Sequence, residues 1–118
     1  LIDAGIPAPG HSDADVCHIN PMRAIYALVA RKTDTGQPIG SEQAISVSEA
    51  IRAYTVLGAY AGNEEGIKGS IEPGKLADMI VLDRDIFTVP VEEIKNIGID
   101  STIVGGIIRY PTVNTAPY

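Results

Sequence analysis

Apolar positions recur along this chain with two periods, and the change of period divides it. Ile25, Leu28 and Val29 fall at i, i+3 and i+4, the spacing of one buried helix face. Asn20-Pro21 supplies an N-cap followed by proline at the first helical position, so a helix begins there. Arg31 and Lys32 suit the negative end of its dipole. Val47, Ile51 and Tyr54, flanked by Ala50, Ala53 and Leu57, form a second such face. Ser46 and Glu49 are spaced as a capping box that opens this helix, and Gly62 is expected to end it. Past residue 68 the apolar runs become short and β-branched. Met79–Leu82 predicts a buried strand, and Glu72-Pro73-Gly74-Lys75 before it is turn chemistry. With Gly69–Ile71 read as extended, this stretch predicts a first hairpin. Thr102–Val104 and Ile107–Tyr110, joined by Gly105-Gly106, predict a second. The fold class expected is therefore α+β.

The remaining stretches are punctuation. Leu1–Ala4 reads as the end of a helix, with Gly5 as its left-handed terminator. Ile6–Pro9 reads as a short extended piece, although two prolines in it cannot donate ladder hydrogen bonds. Residues 34–41 are a glycine- and proline-marked loop, and Val91–Asn96 is a short helix. Pro111–Tyr118 is expected to be a loose tail.

Composition narrows the partners. The net charge of −6, with acidic residues dispersed, argues against nucleic acid, which needs clustered Lys and Arg. No apolar run approaches the ~18 residues of a membrane span. Cys17 is the single cysteine, which excludes an intrachain disulfide and a cysteine-only zinc knuckle. With no Trp and one Phe, the core must be aliphatic and tyrosine-based. No charged segment leading into an apolar one opens the chain; the expected location is cytoplasmic, with export left open because a longer protein is expected upstream. A start at Leu1 without an initiator methionine leads us to expect a fragment of a longer protein.

Gly10–Asp15 is a polar cluster directly after the extended piece, where functional residues often sit. Asp13 and Asp15 alternate and can serve a metal or a proton, but Ser-Asp-x-Asp is equally ordinary cap and turn material. His11, Asp15, Cys17 and His18 can also be drawn as a metal site, without the recognisable spacing that zinc ligands on rigid elements usually show.

Several strings together carry a resemblance. Gly-Ser-Ile-Glu-Pro-Gly-Lys-Leu-Ala-Asp-Met-Ile-Val-Leu at 69–82 is the most specific. Asp3-Ala4-Gly5-Ile6-Pro7, His11-Ser12-Asp13 and Asn20-Pro21-Met22 precede it in order. Ser48–Thr55 and Thr102–Tyr110 complete the set. The sequence resembles the C-terminal part of the amidohydrolase superfamily, in the branch that includes N-substituted formamide deformylase-like proteins. The resemblance implies the end of a (β/α)8 barrel, its last strand and helices, followed by the C-terminal part of a small β-sandwich. Residues 1–62 would be the barrel remnant, 63–110 the sandwich segment with two hairpins, and 111–118 the tail.

By the same resemblance Asp13 matches the aspartate at the end of barrel strand eight, which contacts the metal and moves the proton of the attacking water. Asp13 is thus the one expected catalytic residue, and a metal ligand only alongside ligands from outside this chain. His11 would shape the pocket, while Cys17 and His18 gain no role. Pro9 in a central strand and Asp15 in place of a frequent proline depart from the pattern. The implied cofactor of the parent protein is a divalent metal, zinc by preference. None is expected in this chain alone, because such a site takes about three protein ligands.

The expected reading is a fragment of a metal-dependent hydrolase of non-peptide C–N bonds, with a small-molecule amide or cyclic amide as substrate, inactive by itself. Apolar faces that have lost their partners would favour a homo-oligomer. The alternative is a non-catalytic, self-associating or binding module derived from that fold.

Overall fold

The computed structural model describes residues 1–14, 16–33 and 35–111. Three helices come first: α1 (Pro21–Ala30), α2 (Val47–Tyr54) and α3 (Val56–Ala61). Strands β1 (Met79–Leu82), β2 (Ile99–Val104) and β3 (Ile107–Tyr110) follow, with 3-10 turns at Ile2–Ala4, Ser41–Gln43 and Val91–Asn96.

Local signals set the helix starts. Asn20 Oδ1 accepts from the Met22 amide at 2.9 Å, and Pro21 occupies the first turn where its missing N–H costs nothing. Ser46 and Glu49 form the reciprocal capping box, with the Ser46 amide donating to Glu49 Oε2 at 2.8 Å. The second helix does not run unbroken to Gly62. It stops at Thr55 (φ −124°, ψ −87°), whose hydroxyl donates back to the Ile51 carbonyl at 2.8 Å, and restarts as α3. Such back-bonding by threonine competes with the helical ladder.

The sheet is antiparallel in the order β1-β2-β3. The β2–β3 hairpin turns at Gly105-Gly106, with φ of 58° and 79°, the left-handed pair that a two-residue turn requires. The other expected hairpin is not formed. The Glu72–Lys75 turn is present, closed by the Lys75 amide on the Glu72 carbonyl at 3.2 Å, but Gly69–Ile71 is not a strand. β1 pairs instead with β2, Met79 opposite Ile103 and Val81 opposite Ser101. Gly69 lies at φ +94° against Ala59 of α3. Ile6–Pro9 likewise forms no strand.

The core sits at the helical end. Met22, Ile25 and Tyr26 of α1 pack with Ala50 of α2 and with Ile86, Ile94 and Ile97. Val47, Ile51, Tyr54 and Leu82 close around this cluster. Tyr26 OH donates to Glu92 Oε2 at 2.8 Å, Lys32 Nζ meets Glu92 Oε1 at 2.5 Å, and Lys95 Nζ lies 4.8 Å from the Tyr26 ring centroid. Residues 91–96 are thereby fastened to α1. The sheet is less covered, and β1 is not the buried strand expected: Ile80 and Val81 are 45% and 46% exposed. Adjacent along the strand, they lie on different faces of the sheet, so β1 is partly exposed on both.

Candidate functional site

The loop that carries the polar cluster is placed by two glycines. Gly5 ends the first 3-10 turn in the left-handed region (φ 69°, ψ 17°). The Gly10 amide donates to the Ala53 carbonyl of α2 at 3.0 Å. A Cβ at Gly10 would come within 2.4 Å of the Tyr54 ring, so only glycine lets the chain approach α2 this closely.

Beyond Gly10 the chain turns along α1. His11, Ser12, Cys17 and His18 line an open cleft of 530 Å³, walled by Ala24, Ala27 and Leu28 of α1 and by Tyr54 of α2. The Tyr54 phenol is pushed up, first by its partial burial and then by the Cys17 thiol nearby. His18 Nδ1 accepts from the Asn20 amide at 3.2 Å.

Asp13 stands apart. It is exposed, does not line this cleft, and occupies the left-handed region at φ 47°. Its carbonyl accepts from the Val16 amide at 2.7 Å, closing a turn. His11, Cys17 and His18 share a surface and Asp13 does not join them, while Asp15 lies outside the described residues. Among the described residues no three His, Cys, Asp or Glu side chains converge as a metal site would require. The described residues therefore do not make a complete metal site.

The cleft is also lined by Arg31 and Lys32, which the sequence marks only as suited to the end of the α1 dipole, and by Arg23 and Lys95. Only the dipole preference at the end of α1 marked any of them in the sequence. Lys95 gave no local signal, because folding of residues 91–96 onto α1 is what brings it there.

The string at 69–82 carries no chemistry of its own; it is a network of turns. Lys75 Nζ donates to Ser70 Oγ at 2.7 Å, and Ser70 Oγ to Glu72 Oε1 at 2.6 Å. Asp78 Oδ1 accepts from the Gly105 amide at 2.7 Å, tying the string to the last hairpin. Serine, lysine and aspartate in it thus act on backbone and turn geometry.

Comparison with known proteins follows the same strings. The chain is 34% identical over 110 residues to an N-substituted formamide deformylase of Arthrobacter pascens, covering 93% of this chain and 20% of that one. It is 32% identical over 113 residues to the putative amidohydrolase YtcJ of Bacillus subtilis, covering 93% and 21%. An imidazolonepropionase of Bacteroides fragilis is 41% identical over 69 residues, 58% of this chain and 16% of its own length. The chain spans about a fifth of the length of the curated relatives it matches over most of its own length. No solved structure matches it significantly. The model of the amidohydrolase family matches residues 1–110, from the first turn through the last strand, and on that extent the chain belongs to the amidohydrolase family.

Proposed function

We propose that this chain is the C-terminal portion of a metal-dependent amidohydrolase that hydrolyses non-peptide C–N bonds of amides or cyclic amides. The observation that carries the reading is the family match across residues 1–110. The names of an N-substituted formamide deformylase and an imidazolonepropionase among its relatives support the bond class. In this reading residues 1–62 close a (β/α)8 barrel and residues 63–110 complete a small β-sandwich. The uncovered faces of β1 and β3 support the sandwich assignment, since Ile80, Val81, Ile107 and Ile108 are all exposed.

Asp13 is the proton-handling residue of the proposal. A carboxylate held on an exposed turn suits a group that takes a proton from the attacking water and returns it to the leaving nitrogen. His11, on the cleft wall, shapes the pocket for the acyl portion. The cofactor is a divalent metal, zinc in preference, with its remaining ligands contributed from outside residues 1–118. The isolated chain is inactive, and the protein works in the cytoplasm as a homo-oligomer on small molecules.

The test is to read the coding DNA upstream of Leu1 and express the extended protein. A His-x-His motif upstream, and release of formate or ring opening from N-formyl amines or imidazolones, are expected. Upstream sequence without histidine pairs, or an extended protein inert on these substrates, would overturn the reading. A second reading, a non-catalytic module that self-associates, is favoured by one observation: Leu1, Val16, Ile19 and Ile71 are each more than 70% exposed. It expects a cooperatively folding, metal-free oligomer of the 118-residue chain, measured by metal analysis and solution mass together.

A further inference from the structure

We propose that the groove between the start of α1 and β2 is a docking site for the chain's own C-terminal segment, Thr112–Tyr118. The groove has a volume of 470 Å³. Buried Met22 and Ile97 line it together with Ile99 and Thr102 of β2, and with Ile19 and Tyr110, which are exposed. No Asp, Glu, Lys, Arg or His side chain lines it among the described residues.

The sheet is left incomplete beside this groove. β2 pairs with β1 from Ile99 to Ile103, but with β3 only from Thr102 to Val104. On the β3 side no described residue pairs with Ile99–Ser101. Backbone N–H and C=O groups left open along a strand edge are a template for an added extended segment. Tyr110, opposite Thr102, is the last residue of β3 and itself lines the groove, so the chain leaves the sheet at this place.

Reach and chemistry name the occupant. Residues 112–118 lie outside the described ones, and the sequence alone reads them as part of a loose tail. Seven extended residues span up to about 24 Å, whereas the unpaired part of β2 is only about 10 Å long. Thr-Val-Asn-Thr-Ala-Pro-Tyr carries no charged side chain, which matches a groove lined by none. A charged peptide would lose hydration there and find no partner among those walls. Thr112, Val113 and Thr115 are β-branched and suit an extended backbone. Val113, two positions past Pro111 and thus within about 7 Å of it, is the one large aliphatic side chain of the segment and its anchor. The docking does not depend on the hydrolase reading and concerns the 118-residue chain as it stands.

The test compares NMR amide shifts and hydrogen exchange of the 118-residue chain with those of Val113→Asp and of a chain ended after Pro111. Amides of Ile99–Ser101 that face away from β1 are expected to exchange about tenfold or more faster in both variants. Shift changes should centre on Ile97–Thr102 and Ile19–Met22, with α2 and α3 unchanged. Val113→Ile should keep the protection, because the anchor stays branched and apolar. A synthetic peptide of residues 111–118 should restore the shifts of the shortened chain, and the same peptide with Val113→Asp should not. Docking within one chain should also be unchanged by dilution.

Equal exchange in the wild type and Val113→Asp would overturn the proposal, as would changes confined to other surfaces. Val113→Asp is read in the 118-residue chain, so the outcome stands even where the shortened chain does not fold. Protection that is lost on dilution, with the solution mass falling from dimer to monomer, would overturn it in favour of the same segment from a second copy.

Discussion

The Asp78 carboxylate accepts a hydrogen bond from the Gly105 amide at 2.7 Å, and the neighbouring Gly106 amide donates to the Ala77 carbonyl at 3.0 Å. Two residues from the most specific string in the sequence thus hold the turn of the last hairpin. Gly105 and Gly106 have positive φ, so their amides project together from the turn and meet the segment that precedes β1. Asp78→Ala leaves the Gly105 amide to solvent and should cost about 1 kcal/mol, the net worth of one such hydrogen bond. Asp78→Asn keeps the acceptor and should lose less than half of that. Urea unfolding of the two variants checks the order, and equal losses would remove the hydrogen bond as the cause.

Gly69 couples the same string to the helices. A Cβ there would lie 2.7 Å from Ala59 Cβ and 3.2 Å from both the Thr55 carbonyl oxygen and Val56 Cα, at φ +94°. Two of those three neighbours are backbone and cannot rotate away. Gly69→Ala should therefore destabilise by about 2–3 kcal/mol, combining a strained φ with overpacking. Adding Ala59→Gly removes the closest contact and should recover part of the loss, leaving the φ strain in place. Full recovery in the double variant would mean that conformation contributes nothing; no recovery would mean that contact does not.

These two glycine-centred features show where the sequence was legible. The starts of α1 and α2 depend on neighbours within three residues, Asn20 with Met22 and Ser46 with Glu49, so the chain spells them out. The Gly105-Gly106 turn is local in the same way. The first hairpin failed because strand pairing is a choice among distant partners. Gly69–Ile71 lies nearer to Met79–Leu82 in the chain, but Gly69 is committed to Ala59, and β2 takes the position beside β1. Ile86, Ile94 and Ile97 join the core from loop and 3-10 segments, where no period marks them. In the candidate site, nearness in sequence does not bring Asp13 to the cleft that His11, Cys17 and His18 line. The turn at Asp13 separates them, and Lys95 arrives from the other end of the chain.

The fastening of residues 91–96 to α1 should depend on pH through Glu92. Its carboxyl is held below the ordinary glutamate range, first by the hydrogen bond from Lys32, then by that from Tyr26. Lys32 is correspondingly raised by the same hydrogen bond. A depressed carboxyl stabilises the fold above its unfolded value, near 4.3, and that contribution is lost as pH falls through the lower folded value. The stability difference between the wild type and Glu92→Gln should thus be constant near neutrality and shrink below about pH 4. Glu49 and Glu72 are also held low, by hydrogen bonds from Ser46 and Ser70 respectively, so acid should still destabilise the variant. Thermal melts of both proteins between pH 3 and 7 (~4 units spanning the glutamate range) read the difference; a difference independent of pH would show that Glu92 titrates without consequence for folding.

Asp13 allows function and folding to be separated, because its backbone demands little of its charge. At φ 47° it occupies a region that asparagine enters as readily as aspartate, and it is exposed. Asp13→Asn should leave the stability of the chain within about 0.5 kcal/mol of wild type. In the extended protein the same change removes the group proposed to carry the proton, and kcat should fall by about 10²-fold or more. KM should move far less, since an amide in place of a carboxylate still fills the position. Steady-state kinetics with urea unfolding on the same samples gives both numbers. A normal kcat would take Asp13 out of the reaction, and a large loss of stability would assign it to the turn it closes with Val16.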